Sequence, residues 1–335
     1  MHQIGVVGGG AWGTALAAVA AAGGAVTMWA REPEVVEAIN RGHINSEFLP
    51  DIPLPPSLGA TGDIAEVCAA DALLLAVPAQ FVRAVTTKMA QYVSSATPIV
   101  ICAKGIEQES GALMSEVLEV TLPGTTVAVL SGPTFAAEVA RGQPTAVTLA
   151  CRDEGVSDAL LQRLGGRTFR PYLSADVIGA QVGGAVKNVL AIACGIVAGR
   201  EFGDNAGAAL ITRGIAEMTR FGQALGAAPR TLMGLCGLGD LVLTCTCVAS
   251  RNYSLGAALG RDAELSAFLG NRNTVAEGMF SASAVVARAA QVGVEMPISA
   301  AVDGIVNRGE PIDVAIETLL SRSFKVESEG GDNDQ

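Results

Sequence analysis

A doubly wound parallel α/β sheet at the N-terminus, joined to an all-α C-terminal domain, is the fold this chain predicts. Three observations predict it. A glycine turn, Gly8-Gly9-Gly10-Ala11-Trp12-Gly13, follows an apolar strand pattern and opens a helical one. Apolar runs of strand length then alternate with helical stretches to about residue 180. Beyond that point only helical periodicity remains. Alternation of this kind, with apolar strands, means a parallel sheet covered by helices. The 335 residues leave room for two domains. The division expected is 1–180 for a dinucleotide-binding domain, 181–322 for an all-α substrate domain, and 323–335 for a disordered acidic tail.

The first strand is expected over 4–7. The glycines after it, in the pattern G-x-G-x-x-G, have separate duties. Gly8 allows the tight turn, Gly10 lets backbone approach a pyrophosphate, and Gly13 lets the helix pack close to the sheet. The helix start then offers free N–H groups and a positive dipole end to phosphate. A second strand is expected over 25–30 and a helix over 33–40. A proline-rich loop and a short helix near 64–68 follow. Residues 72–77 form a continuous apolar strand stopped by Pro78. Residues 81–92 are helical, with Phe81, Val82, Val85 and Met89 on one stripe. Strands are expected at 98–103, 126–130 and 146–150, with a helix over 113–121. In the second half helices are expected at 185–198, 206–225, 230–233, 254–259, 263–269, 281–292, 298–307 and 312–320. Asp204-Asn205 is placed to cap the second of these.

Composition narrows the function. Residues 3–30 carry no charge, which also fits a signal peptide or membrane anchor. Gly8, Gly9, Gly10, Gly13, Gly23 and Gly24 interrupt that stretch and no basic region precedes it, so a buried strand-turn-helix unit explains it better. We expect a cytoplasmic protein without an integral membrane segment. The net charge is −11 with no basic run. That argues against nucleic acid, whose binding rests on neutralised phosphates. Any phosphate site here must be locally cationic against the overall field. The seven cysteines have no zinc spacing and are expected to be buried thiols. Of the two histidines, His2 is terminal and His43 lies in a polar loop. Proton transfer therefore falls to a lysine or a carboxylate. Lysines are scarce, at 88, 104, 187 and 325 only.

Candidate site residues lie where parallel strands end. Arg31 follows the second strand, where an acid for the ribose hydroxyls is usual. An arginine suits an adenosine 2′-phosphate, or else it pairs with Glu32 on the surface. Lys104 stands at the mouth of the sheet, followed by Gly105. Lys187-Asn188 sits on an otherwise apolar helix, where a lone cation is costly unless partnered. It is either a working lysine or half of a structural ion pair. Gly234 to Leu241 reads as a glycine-rich apolar turn holding one carboxylate, Asp240, in a crowded place or as a cap. Thr244 and Ser250-Arg251-Asn252 follow. Arg251 can grip phosphate with its fork, or it is a surface arginine.

These residues fall within a longer set of motifs: GGGAWGTALA at 8–17, AKGI at 103–106, SGPTFAAEVA at 131–140, KNVLAI at 187–192, NAGAALITRG at 205–214, GLGDL at 237–241, SRN at 250–252 and EGM at 277–279. In this order they resemble the bacterial-type NAD(P)-dependent glycerol-3-phosphate dehydrogenases. The resemblance implies a Rossmann domain and a helical domain. It implies NADP or NAD as cofactor, interconversion of dihydroxyacetone phosphate and sn-glycerol 3-phosphate for phospholipid synthesis, and Lys187 as proton donor and acceptor. It places Ala11, Trp12, Arg31, Ala136, Val275 and Glu277 at the cofactor and Lys104 and Arg251 near both ligands. Gly132, Thr134, Asp240, Ser250 and Asn252 are then placed around the substrate. A homodimer is compatible with it. Ala11 stands where serine is common, Glu32 where a second cation can occur, and Tyr253-Ser254-Leu255 lacks the extra basic residues often found there. In the expected chemistry Lys187 protonates the alkoxide formed by hydride addition, and Asp240 and Asn188 hold Lys187 or the substrate hydroxyls. Two alternatives stay open: a β-hydroxyacid or sugar-acid dehydrogenase of the same domain pairing, and a non-catalytic dinucleotide sensor.

Overall fold

The computed structural model describes residues 1–263, 265 and 276–323. The helix expected over 263–269 and the tail expected over 323–335 lie almost wholly outside these. Among the described residues eight strands form one sheet: β1 (Ile4–Val7), β2 (Val26–Trp29), β3 (Leu58–Thr61), β4 (Ala72–Leu75), β5 (Ile99–Ile101), β6 (Val127–Ser131), β7 (Thr145–Cys151) and β8 (Phe169–Ser174). Their spatial order is β3-β2-β1-β4-β5-β6-β7-β8. Ile4 sits opposite both Val26 and Ala72, and β3 through β6 all run parallel. The first six strands thus have the order 3-2-1-4-5-6 of a dinucleotide-binding sheet. β1 and β4 are buried along their whole length, which is why they read as unbroken apolar runs.

Two features differ from expectation. β7 joins β6 antiparallel, so the sheet is parallel only as far as β6. The link between them contains a five-residue helix, α6 (Ala136–Ala140). That helix is about 7.5 Å long, while a return past a five-residue strand needs about 16 Å. The chain therefore turns back instead of crossing over. β3 and β8 were not expected as strands. Both are edge strands, and β8 carries Pro171, which an edge tolerates because one side of it needs no ladder bond.

Helices cover both faces of the sheet: α1 (Ala11–Ala21), α2 (Pro33–Gly42), α3 (Ile64–Cys68), α4 (Val82–Met89), α5 (Met114–Thr121), α6 and α7 (Glu154–Leu164). One apolar core lies under α1, α2 and α7 and another under α3, α4 and α5. In α4, Val82 and Met89 are buried as expected, but Phe81 ends a short 3-10 turn and is exposed.

The helical part is built on α8 (Val177–Gly199), which is buried along its length apart from Ile178 and its last turn. Asp176 caps it, accepting Gly179 N at 2.8 Å and Ala228 N at 2.9 Å. Length and apolarity would let α8 cross a bilayer, yet other helices enclose it. Around it lie α9 (Asp204–Ala224), α10 (Pro229–Leu232), α11 (Asp240–Thr246), α12 (Arg251–Gly260), α13 (Glu277–Gln291), α14 (Pro297–Arg308) and α15 (Ile312–Leu320). α9 is not capped by Asp204-Asn205. Its cap position is Gly203 at φ 84, and Asp204 is its first residue, where its charge meets the helix dipole. α8 and α12 approach through glycines. A methyl on Gly256 would lie 2.0 Å from the Ile192 carbonyl oxygen, and one on Gly195 would lie 2.1 Å from that of Tyr253. This contact sets Asn252 beside Asn188.

Candidate active site

Strands β1, β5 and β6 deliver the glycine turn, Lys104 and Gly132 to the same edge of the sheet. Gly8 has φ +127, and a methyl on Gly13 would lie 1.9 Å from the Gly8 carbonyl oxygen. Gly10 is different: a methyl there would meet nothing within 4 Å. The turn is therefore closed behind and open in front. No side chain caps α1, so its first N–H groups face that opening, as a phosphate requires. Among the described residues the buried Trp12 indole N–H has no partner. These residues fit a dinucleotide pyrophosphate. Behind the turn stands Asn45, fully buried, whose Nδ2 donates to the Gly9 carbonyl at 2.8 Å and to Thr14 Oγ1 at 2.7 Å. Nothing in the proline-rich loop marked Asn45 as a support for it.

The charged centre lies between the sheet edge and α8. Asp240 is fully buried and shared by two lysines. Lys187 Nζ reaches Asp240 Oδ1 at 2.7 Å and Thr244 Oγ1 at 2.9 Å. Lys104 Nζ reaches Asp240 Oδ2 at 2.6 Å and the Gly132 carbonyl at 3.0 Å. Asp240 does not lie in a turn. Leu235–Gly239 form a π-helical turn that runs directly into α11, whose first residue is Asp240. A methyl on Gly183 would lie 2.2 Å from the Cys236 carbonyl oxygen, so the π turn is seated on α8 one turn before Lys187. Thr244, which follows the glycine-rich turn in the sequence, stands four residues after Asp240 on α11, and its role as a partner of Lys187 comes from the structure. The i, i+4 spacing was the available signal. Burial is the largest influence on Lys187 and pushes its pKa down to about 8; Lys104 pushes the same way, against Asp240.

A second group surrounds this centre. Asn252 Nδ2 donates to Asn188 Oδ1 at 2.9 Å, and Asn252 Oδ1 accepts Gly278 N at 2.9 Å. Asn188 thus holds Asn252 rather than Lys187. Arg251 begins α12, exposed, with no ion pair among the described residues. Glu277 begins α13; burial raises its carboxyl pKa, opposed by the charges of Arg251, Lys187 and Lys104. Ser250 uses its hydroxyl as the α12 cap, accepting Tyr253 N at 3.3 Å. Thr134 Oγ1 donates to the Gly132 carbonyl at 3.2 Å, and Ala136 opens α6 half-buried. Ala11 opens α1 at the glycine turn. Arg31 stands apart from this group, at the end of β2 and bound to Glu32 at 2.7 Å. Val275 lies outside the described residues. Three cations, Lys104, Lys187 and Arg251, thus face two carboxylates, Asp240 and Glu277, and the site is cationic within a chain of net charge −11.

Residues 3–157 match the family model described as NAD-dependent glycerol-3-phosphate dehydrogenase N-terminus, and residues 176–317 match the C-terminus model. The chain belongs to the NAD-dependent glycerol-3-phosphate dehydrogenase family. It is accordingly an NAD(P)-dependent oxidoreductase. Curated relatives named glycerol-3-phosphate dehydrogenase [NAD(P)+] are 58% identical in Parvibaculum lavamentivorans, over 98% of both chains, and 58% identical in Rhodospirillum rubrum, over 100% of this chain and 96% of the relative. The crystal structure of glycerol-3-phosphate dehydrogenase from Coxiella burnetii superposes with a TM-score of 0.92 at 39% identity, covering 96% of this chain and 99% of that one. The lysine-carboxylate centre is built from the loop after β5, the central helix α8 and the helix after the π turn.

Proposed function

We propose that this chain interconverts dihydroxyacetone phosphate and sn-glycerol 3-phosphate by reversible NAD(P)-dependent hydride transfer, with Lys187 as general acid and base. The observation that carries this reading is the buried Lys187 held between Asp240 and Thr244 with its pKa lowered to about 8. A lysine so tuned exchanges a proton near neutral pH, which an ordinary lysine does not.

The dinucleotide, when bound, supplies or accepts the hydride at the substrate carbon. Gly8, Gly10 and Gly13 shape the turn that would hold its pyrophosphate, Trp12 lends an indole N–H, and Arg31 lies toward the adenosine end. Ala11, Ala136, Val275 and Glu277 belong to the cofactor side of this reading by family likeness. Lys187 gives its ammonium proton to the carbonyl oxygen during reduction and takes it back during oxidation. Asp240 fixes the ammonium direction, and Thr244 fixes a second N–H. Lys104, bound to the other oxygen of Asp240, adds positive charge where the alkoxide develops. Arg251 and Asn252, at the start of α12, are placed to take the phosphate, with Gly132, Thr134 and Ser250 around the substrate.

The division near residue 180, a cytoplasmic location, supply of phospholipid precursors and a homodimeric state belong to the same reading. Steady-state oxidation of NADPH and of NADH with dihydroxyacetone phosphate tests it. Turnover with the phosphate ester is expected with both cofactors. Turnover with a small keto acid and none with the ester would overturn it.

A further inference from the structure

Beside the end of β2 lies a cleft of about 390 Å³, lined by Arg31, Val36, Glu37, Asn40, Arg41 and Gly62 among others. Its position follows from the strand order: the residue after β2 is where a dinucleotide-binding sheet meets the adenosine ribose. Two arginines, Arg31 and Arg41, line this cleft, and the chain itself already pairs both guanidinium groups. Arg31 Nε and Nη2 reach Glu32 Oε1 at 3.0 and 2.7 Å. Arg41 is paired with Glu37 one turn earlier on α2. The two arginines are 77% and 81% exposed, so these are weak pairs that open readily. The cleft region holds two cations and two carboxylates, a formal charge of zero. A neutral ribose diol enters it without displacing anything. A dianionic phosphate must take the forks from the carboxylates and then lie beside them.

We propose that Glu32 and Glu37 set the cofactor preference of this chain, acting as internal anions that compete with adenosine 2′-phosphate for Arg31 and Arg41. The inference rests on the dinucleotide reading of the site given above. It adds Arg41 as a second phosphate-gripping side chain and gives the two carboxylates a role that α2 does not require. The Glu32 side chain makes no cap bond to that helix, and the Glu37 pair with Arg41 lies on its exposed surface.

Calorimetric titration of NADP+, NAD+, 2′,5′-ADP and 5′-AMP into the full chain tests this without turnover. Glu32→Gln and Glu37→Gln are each expected to tighten NADP+ and 2′,5′-ADP about threefold to tenfold while NAD+ and 5′-AMP change less than about twofold. The gain should shrink at high salt, because these charges are exposed. Arg41→Ser is expected to weaken 2′,5′-ADP more than 5′-AMP. Equal changes for the phosphorylated and unphosphorylated ligands, or none in either, would overturn the proposal. Failure of the wild-type chain to bind either dinucleotide would instead overturn the reading on which it rests.

Discussion

Lys187 carries a charge that its surroundings resist. Burial and Lys104 disfavour the ammonium, Asp240 restores part of the balance, and the result is a pKa near 8 in place of 10.5. The sign of the pH effect follows. The ammonium needed for reduction is present below about pH 8 and is lost above it. Ketone reduction should therefore fall as pH rises through 8, while oxidation of the alcohol rises over the same range. The stability link has its own window: the folded state binds fewer protons than the unfolded chain between about pH 8 and 10.5, so the contribution of Lys187 to stability improves as pH rises across it. Lys187→Met is expected to bind NADPH and to lose at least about 10²-fold in turnover, the usual scale for a positioned acid or base. Its remaining activity should show no limb near pH 8. A pH-rate profile of wild type and variant checks both statements, and near-normal turnover with the original limb would remove Lys187 from the chemistry.

Elements hold these side chains in place through close backbone approaches. α12 reaches α8 because Gly195 and Gly256 lack side chains, and the Asn188–Asn252 hydrogen bond depends on that approach. Gly256→Ala puts a methyl 2.0 Å from the Ile192 carbonyl oxygen, so the helices must separate. The expected cost is about 1–3 kcal/mol of stability, typical of overpacking. The same shift moves Arg251 and Asn252, so KM for the phosphate substrate should rise more than kcat falls. Denaturant titration and steady-state kinetics read the two effects separately. A stable variant with unchanged KM would mean that α12 can shift without carrying its first turn. The edge strands are the other lesson at this scale. Interior strands β1 and β4 show themselves as apolar runs because both faces are buried. β8 is exposed along much of its length and contains Arg170 and Pro171, so nothing in its pattern separates it from a loop.

At the scale of the whole molecule, the sheet and the helices share buried contacts. Val177 and Ala180 of α8 belong to a core against the sheet, while Val182 onward belongs to the helical core. Lys104 from the sheet edge is bound to Asp240 on α11 across the same boundary. Losing either side breaks the Lys104–Asp240 pair and exposes the apolar face of α8 that packs on the sheet. Calorimetry is therefore expected to give one unfolding transition with matching calorimetric and van't Hoff enthalpies. Two resolved transitions would mean that the sheet domain keeps its fold without the α8 contacts.

The sequence by itself determined what depends on neighbours in the chain. The glycine turn after β1, the apolar interior strands, the length of the helical half and the oddity of Lys187 on an apolar helix were all legible. Each is a local backbone preference or a local burial pattern. Tertiary structure alone decided the partners. Lys187 meets Asp240 from 53 residues away, Lys104 meets it from 136, and Asn45 supports the Gly9 carbonyl from 36. It also decided that β7 runs antiparallel and that Asn188 serves Asn252. Long connections bring such groups together, and a loop leaves no periodic trace of where its ends will meet. Hydrogen bonds and ion pairs are fixed only when the packed core has set the distances. That is why the lysine, the carboxylate and the asparagine could be named from the sequence, while the fold decided that Asp240 holds Lys187 and that Asn188 does not.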